Sequence, residues 1–189
     1  MRQYPIALLC VLAACAIDSG SSPAAMLAES ATGSQTRLTV SGDRVVVIVS
    51  PIEYLALPSP VREACEALTP KGTINFCGRE RSDEGVGYRV EMRCEDPAPH
   101  ERSMLFNEAG RVLEQGRTLD LSQAPKHVLK TALSYGDFIE RVEVVSRPVL
   151  GGYWRVVIRD RSGRRFAATI NPDGALQTLR RRTQSRVDS

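Results

Sequence analysis

An internal repeat is the feature of this sequence that most restricts its fold. Three segments in the first part of the chain each resemble a segment further on, in the same order and at nearly the same offset. The pairs are LPSPVREACEAL (57–68) with QAPKHVLKTALSY (123–135), GYRVEMR (87–93) with YWRVVIR (153–159), and LFNEAGRVL (105–113) with TINPDGALQ (169–177). Three ordered matches predict a duplicated structural unit.

Each copy of the repeat predicts a helix followed by antiparallel strands. In the first copy, Val61, Ala64, Cys65 and Leu68 have the spacing of one apolar helix stripe, and residues 128–133 form a similar stripe in the second copy. The segments that follow alternate apolar and polar residues, and the turns NEAG and NPDG suit tight hairpins. The predicted fold class is α+β, with two tandem units, each a helix packed on one face of a roughly four-stranded antiparallel sheet.

The alternation along the strands separates two faces of the predicted sheet. The residues expected to face the helices are Tyr88, Val90, Met92, Cys94, Trp154, Val156 and Ile158. We expect the opposite face to be open to solvent, as antiparallel sheets allow, and arginine and tyrosine are common at interfaces. That face is the candidate binding surface, unless it is only a solvated sheet face; its residues are Arg89, Glu91, Arg93, Tyr153, Arg155 and Arg159.

The N-terminal segment predicts export to the cell envelope. Arg2 precedes an uncharged apolar run, residues 6–14, which is much shorter than the about 20 residues needed to span a bilayer. A positive charge, a short apolar run and small residues are typical of a secretory signal peptide. The run ends in LAAC (12–15), which resembles the bacterial lipobox.

The lipobox resemblance implies that Cys15 is lipidated and becomes the first residue of the mature protein. Diacylglyceryl and fatty acyl groups such as palmitate would then hold the protein to a membrane. Ala16, which follows the cysteine, favours the outer membrane, with the protein facing the periplasm. The alternative is plain secretion, with cleavage near Ala24 or Ala25.

The sequence divides into four parts on this interpretation: a lipoprotein signal peptide (1–14), a flexible tether (15–36), a first helix-plus-sheet unit (37–121) and a second one (122–189). The first unit includes an N-terminal segment, RLTVSGDRVVVIVS, which predicts one or two extra strands with a turn at residues 41–43. The second unit ends in a basic tail, RRRTQSR (180–186). We expect the tail to be a solvated terminus, with contact to anionic lipid head groups as the alternative.

Three cysteines besides Cys15 lie in the first predicted unit, and an oxidising compartment favours a disulfide between two of them. Cys65 lies on the apolar helix stripe, and Cys94 lies on the sheet face that is expected to contact that helix. We therefore predict a Cys65–Cys94 disulfide, with Cys77 placed on the opposite face by strict alternation. A Cys77–Cys94 bridge across the hairpin and three free thiols are the alternatives.

The composition and the motifs argue against several functional classes. The chain has 25 Lys and Arg against 22 Asp and Glu, which does not indicate a nucleic-acid binder. The cysteine spacings match no zinc motif, and neither histidine has a ligand partner at helical spacing, so we expect no metal and no cofactor. The sequence has no nucleophile elbow and no phosphate-binding glycine loop. We therefore expect no catalytic residue and no enzymatic activity.

The second unit resembles the PepSY-like family. That family combines a helix that opens at a proline, a central strand and a closing hairpin. The matching residues are Ala124-Pro125 with Val128, then residues 153–158, then Asn-Pro-Asp-Gly at 171–174. The tandem arrangement is also similar to the β-lactamase-inhibitor-protein-like architecture at the level of the fold. The resemblance implies binding in the periplasm or outside the cell, sometimes with inhibition or modulation of an enzyme.

The favoured hypothesis is a lipid-anchored periplasmic module that binds a protein or peptide partner through the open sheet face. Modulation or inhibition of an enzyme would be one consequence of such binding. The alternative is a structural accessory lipoprotein of an outer-membrane or envelope complex. Under the first hypothesis, charge reversal of Arg155 and Arg159 weakens binding without lowering stability, because both side chains are expected to face solvent.

Overall fold

Ten strands and two short α-helices make up the described part of the chain. The computed structural model describes residues 35–69, 72–95, 99–148 and 150–186. The strands are β1 (Gln35–Ser41), β2 (Arg44–Pro51), β3 (Thr73–Ser82), β4 (Gly85–Cys94), β5 (His100–Phe106), β6 (Val112–Leu119), β7 (Phe138–Arg147), β8 (Gly151–Arg159), β9 (Arg165–Ile170) and β10 (Leu176–Arg186). The helices are α1 (Ser59–Leu68) and α2 (Lys126–Leu133). The predicted signal peptide, Cys15 and nearly all of the predicted tether lie outside the described residues.

The ten strands form one closed antiparallel sheet. Each strand pairs with the strands before and after it in the chain, and β1 pairs with β10 to close the ring. The closing ladder runs from Gln35 opposite Arg186 to Val40 opposite Arg181. Each of the described strands therefore has two hydrogen-bonded neighbours, and none of them is left as an edge.

The predicted fold class, two helix-plus-sheet units that each have an open face, is wrong. The strands β6 and β7 lie on either side of the predicted boundary at residue 121, and they pair from Gln115 opposite Ser146 to Leu119 opposite Val142. The sheet therefore runs without interruption from the first predicted unit into the second. Two separate units would have edge strands with unpaired backbone groups, whereas the closed ring pairs those groups.

Strand β10 also corrects the prediction of a solvated basic tail. Residues 180–186 lie between β9 and β1, with Arg180 opposite Ala167 and Arg182 opposite both Arg165 and Thr39. The segment 37–50 lies in β1 and β2, which are joined by a turn in which Gly42 has a φ of +62°. The first and last strands of the domain thus complete the ring together.

Both helices lie outside the ring, and each covers an apolar core. They begin after Pro58 and Pro125, which is tolerated because first-turn amides have no helical acceptor. The core under α1 consists of Leu57, Val61, Cys65, Cys77, Val90, Met92, Cys94, Met104 and Phe106. The core under α2 consists of Ala124, Val128, Ala132, Val142, Val156, Ile158, Ala168 and Ile170. Within the described ranges, neither helix is long and apolar enough to cross a membrane.

The three cysteines of the described chain are free and buried, so the predicted Cys65–Cys94 disulfide is not formed in the structure. Burial, assisted by the neighbouring Cys77, raises the pKa of the Cys65 thiol to about 11. Burial also raises the pKa of the Cys77 thiol to about 11. These two thiols are therefore protonated and weakly nucleophilic at neutral pH.

A bulge in β3 explains why strict alternation misplaced Cys77. Ile74 pairs with β4 in one register, and Phe76 and Cys77 pair in a register shifted by one residue, which leaves Asn75 as the extra residue. An extra residue reverses the faces of all the residues that follow it. Cys77 therefore packs in the core under α1, while the ring of Phe76 lies 3.8 Å from the guanidinium carbon of Arg37.

We predict that Cys65, Cys77 and Cys94 form no disulfide in the native protein. Because the thiols are buried, iodoacetamide at neutral pH should label the folded protein much more slowly than the protein unfolded in guanidinium without reductant. Mass spectrometry of the digested, unreduced protein identifies the labelled sites. A linked Cys65–Cys94 peptide in that digest would contradict the structure.

Candidate functional site

The inner face of the closed sheet surrounds a charged cavity, which we call the lumen. The lumen has a volume of about 170 Å³, and all ten strands contribute to its wall. Its charged residues are seven arginines, Arg37, Arg89, Arg141, Arg147, Arg155, Arg180 and Arg182, and four glutamates, Glu80, Glu91, Glu114 and Glu143. With all of these groups ionised, the wall carries an excess of three positive charges.

Glu114 is the centre of the hydrogen-bond network in the lumen. The residue is only 1 % exposed. Its Oε1 accepts hydrogen bonds from Arg155 at 2.5 Å and from Arg89 at 3.3 Å. Its Oε2 accepts hydrogen bonds from the Tyr153 hydroxyl at 2.6 Å and from Arg147 at 3.2 Å. One carboxylate of β6 thus connects β4, β7 and β8 across the lumen.

The arginines keep the buried Glu114 ionised. Burial on its own would raise the pKa of Glu114, but the charges of Arg155 and Arg89 and the hydrogen bond from Tyr153 hold that pKa well below its usual range. Burial, together with the carboxylate of Glu114, raises the pKa of Tyr153 to about 12 against the opposing effect of Arg155. The phenol therefore acts as a hydrogen-bond donor at neutral pH.

A second buried carboxylate, Glu143, extends this network along β7. Arg155 donates to Glu143 Oε2 at 3.1 Å, and Arg141 donates to Glu143 Oε1 at 2.5 Å. Burial opposes the charge on Glu143, but Arg155 and Arg141 lower the pKa of this carboxyl below its ordinary value. Arg155 therefore bridges the two most buried carboxylates of the lumen, Glu114 and Glu143.

Four of the six residues of the predicted open face line the lumen instead. These four are Arg89, Glu91, Tyr153 and Arg155. The other two lie outside the lumen, where Arg93 pairs with Glu95 and Arg159 pairs with Glu140. Because Arg155 is enclosed and paired, its charge reversal should destabilise the fold rather than only weaken binding.

Sequence reasoning missed Glu114, Glu143 and Arg141. The sequence does indicate part of this set. Arg141, Glu143 and Arg147 are separated by even numbers of residues, so they are expected to share one face of a strand. Glu114 was harder to place, since the pairing of β6 with β5 shifts by one residue just before it. Within the described ranges, no three His, Cys, Asp or Glu side chains are grouped as a metal site requires.

The lumen opens at the end of the ring where β7 begins and β8 ends. This opening, which we call the arginine mouth, has a volume of about 560 Å³. Its charged residues are Arg37, Arg141, Arg164, Arg165, Arg181 and Arg182, together with Glu91 and Glu140. Six arginines and two glutamates line the opening, and two of these arginines also pair with carboxylates just outside it: Arg164 with Asp160, and Arg141 with Glu143.

The opposite end of the ring, where β7 ends and β8 begins, carries a groove of about 360 Å³ that we call the apolar groove. Its apolar residues are Val46, Val47, Val86, Leu105, Val112, Leu113, Pro148 and Leu150. Four of them are exposed: Pro148, Leu150 by 75 %, Val86 by 48 % and Leu113 by 42 %. The two ends of the lumen thus differ sharply in chemistry.

Comparison with known proteins identifies similar folds. No family model and no curated protein matches the sequence. A candidate periplasmic protein from Bacteroides eggerthii superposes with a TM-score of 0.50 at 14 % identity, over 66 % of this chain and 88 % of that one. A BLIP-like protein from Bacteroides fragilis gives 0.46 at 18 % identity, over 70 % and 89 %. A DUF2874 family protein from Bacteroides uniformis gives 0.49 at 16 % identity, over 66 % and 88 %.

We predict that Glu114→Gln destabilises the protein by about 3–5 kcal/mol at neutral pH, because it removes the buried carboxylate that Arg89, Arg147 and Arg155 share. The pKa of Glu114 is lower in the folded state than in the unfolded state, where a glutamate has a pKa of about 4.3. The ionised carboxylate therefore contributes its full stabilisation above about pH 4.3, and this contribution is lost as the pH falls further. Chemical denaturation across the acid range should therefore show a shallower loss of stability in the variant than in the wild type.

The matched control for this prediction is Glu108→Gln. Glu108 is exposed in the turn between β5 and β6, so its substitution should leave both the stability and its acid dependence nearly unchanged. Equal effects of the two substitutions would show that the lumen network does not stabilise the fold.

Proposed function

We propose that this chain is a binding module of the bacterial cell envelope that recognises a protein or peptide through the apolar groove. It acts by binding and not by catalysis, and a partner that is an enzyme would be modulated by having its surface covered. The exposed cluster of Val86, Leu113 and Leu150 is the observation that carries this proposal.

The side chains of this cluster come from different parts of the ring. Val86 lies at the start of β4, Leu113 lies in β6, and Leu150 lies in the turn before β8. Apolar side chains that converge on one surface groove mark interaction sites more often than scattered ones do. Burial of these side chains by a partner would supply the favourable free energy of binding.

Polar groups at the rim of the apolar groove can orient a partner. Arg147 lines the groove and pairs with Glu84 at 3.4 Å, and Arg111 and Asp83 lie beside them. An apolar centre with a polar rim is the usual arrangement of a protein interface, and arginine is enriched there. Because the groove is built on a closed sheet, little of its framework needs to become ordered on binding.

We predict that Leu113→Asp and Leu150→Asp each weaken partner binding by at least about tenfold, because each places a charge in the apolar contact. A photo-crosslinking amino acid at position 86 should give a discrete adduct in the native host, and each Asp substitution should reduce its yield. Quantitative mass spectrometry identifies and measures that adduct.

The control for the groove is Leu55→Asp. Leu55 is 81 % exposed in a one-turn helix before α1 and does not line the groove, so this substitution should leave the adduct unchanged. Because the three substituted side chains are exposed, all three variants should fold like the wild type, and circular dichroism checks this. If Leu55→Asp reduces the adduct as much as the groove variants do, the groove is not the binding surface.

We further propose that the chain is exported and carries lipid on Cys15, as the lipobox resemblance implies. The candidate periplasmic description of the Bacteroides eggerthii protein is consistent with export. Anchoring at the outer membrane, facing the periplasm, is the location that follows from Ala16 after the cysteine.

We predict that Cys15→Ala leaves an uncleaved precursor and abolishes the incorporation of labelled palmitate, because the thiol is the acceptor of the lipid. Metabolic labelling and mass determination of the N-terminus measure both effects. Labelling that persists in the variant, or a wild-type mature N-terminus at residues 24–26, would contradict lipidation at Cys15.

A further inference from the structure

The arginine mouth carries more positive charge than its own carboxylates neutralise. Glu91 is engaged by Arg37, and Glu140 is engaged by Arg165 at 2.8 Å. The same Glu140 also pairs with Arg159, which lies outside the mouth. The two glutamates of the mouth are therefore occupied.

Two further arginines of the mouth have no direct ion-pair partner among the described residues. In the part of the chain that the structure describes, neither Arg181 nor Arg182 makes an ion pair or a hydrogen bond through its side chain. Arg182 is partly buried, and burial together with the positive charges of Arg37 and Arg155 lowers its pKa, although the carboxylates of Glu91 and Glu143 offset part of this effect. A bound anion would relieve this repulsion, because it would neutralise the guanidinium where the fold holds it.

Unused hydrogen-bond donors point to the same conclusion. Arg141 lines the mouth, and its Nε is buried without an acceptor in the described chain. Ser103, which is only 3 % exposed, lines the lumen, and its Oγ also has no partner there. Planar guanidinium groups with free donors match the geometry of phosphate oxygens, which accept two such bonds side by side.

The position of the arginine mouth in the fold favours lipid head groups as the source of the phosphate. Gln35, the first described residue, pairs with Arg186 beside the mouth, so the chain that precedes Gln35 reaches the ring at this end. Cys15, the proposed site of lipidation, precedes Gln35 by 20 residues in the sequence. The anchor proposed above would therefore keep the arginine mouth, rather than the apolar groove, next to a membrane surface.

We propose that the arginine mouth binds the phosphate groups of anionic phospholipids, so that the ring stands with its mouth on a membrane and its apolar groove directed away from it. This inference rests on the proposed envelope location and is independent of the partner in the groove. The membrane then orients the module, and the groove is presented to proteins on the far side of the ring.

The test compares vesicle binding by full-length chains that carry Cys15→Ala, so that no covalent lipid contributes. Vesicles of phosphatidylcholine alone are compared with vesicles that also contain phosphatidylglycerol, and cosedimentation measures the bound fraction. We expect tighter binding to the phosphatidylglycerol vesicles, and we expect this preference to decrease with added salt. Any contribution from the apolar N-terminal segment is common to every variant.

The decisive variant is Arg181→Glu with Arg182→Glu. A basic residue near an anionic surface contributes about fivefold to the affinity, so loss of two should weaken binding to phosphatidylglycerol vesicles by about thirtyfold or more. Binding to phosphatidylcholine alone should not change. The matched control is Lys126→Glu with Lys130→Glu, which makes the same change in net charge on the exposed face of α2 and should have little effect.

Three outcomes would overturn the inference. The first is equal binding to both kinds of vesicle, and the second is an equal loss of binding in the arginine and lysine variants. The third is that polyglutamate binds to the wild type and not to the arginine variant, while the vesicles show no preference. That outcome would indicate an acidic protein as the ligand of the mouth.

If the glutamate variant does not fold, Arg181→Gln with Arg182→Gln replaces it, with Lys126→Gln and Lys130→Gln as its control. Failure of this test leaves the cross-links at the apolar groove unaffected, so the two proposals can fail separately.

Discussion

The closed sheet depends on the burial of Glu114 among arginines. A ring of ten strands encloses one complete face of the sheet, and in this chain that face is charged. An unpaired carboxylate or guanidinium in such a place would cost several kcal/mol. Glu114 accepts hydrogen bonds from Arg89, Arg147, Tyr153 and Arg155, so its carboxylate offsets part of the positive charge at the centre of the ring. The same contacts connect strands that are far apart in the sequence.

The charged interior also decides where binding can occur. The sheet face that carries Arg89 and Arg155 is turned inward, and each helix covers part of the outside of the ring. The two ends of the lumen differ, because apolar residues surround one end and arginines surround the other. A module with two unlike ends can engage two different surfaces at once. This is the physical basis for placing a protein partner at the groove and a phospholipid surface at the mouth.

Two bulges adjust the strands to this arrangement. The extra residue at Asn75 in β3 turns Cys77 towards α1, and an equivalent shift after Ile139 in β7 places Val142 under α2. Without such shifts, strict alternation would place each of these apolar residues in the charged lumen. The bulges thus allow one strand to supply an apolar core outside the ring and charged residues inside it.

The sequence by itself determined the features that depend on local periodicity. The buried centre of each helix stripe, Val61 with Cys65 and Val128 with Ala132, could be predicted, although Leu68 and Leu133 at the helix ends are exposed. The separation of the valines from the arginines on β4 and β8 could also be predicted, because helical and strand periods are properties of consecutive residues. Closure of the ring, the incorporation of residues 180–186 into β10 and the position of Cys77 could not. Each depends on which strand pairs with which, and on single-residue shifts in register that reverse the two faces of a strand. Only the tertiary structure decided that the charged face would be enclosed, because pairing of β1 with β10 joins segments from the two ends of the domain.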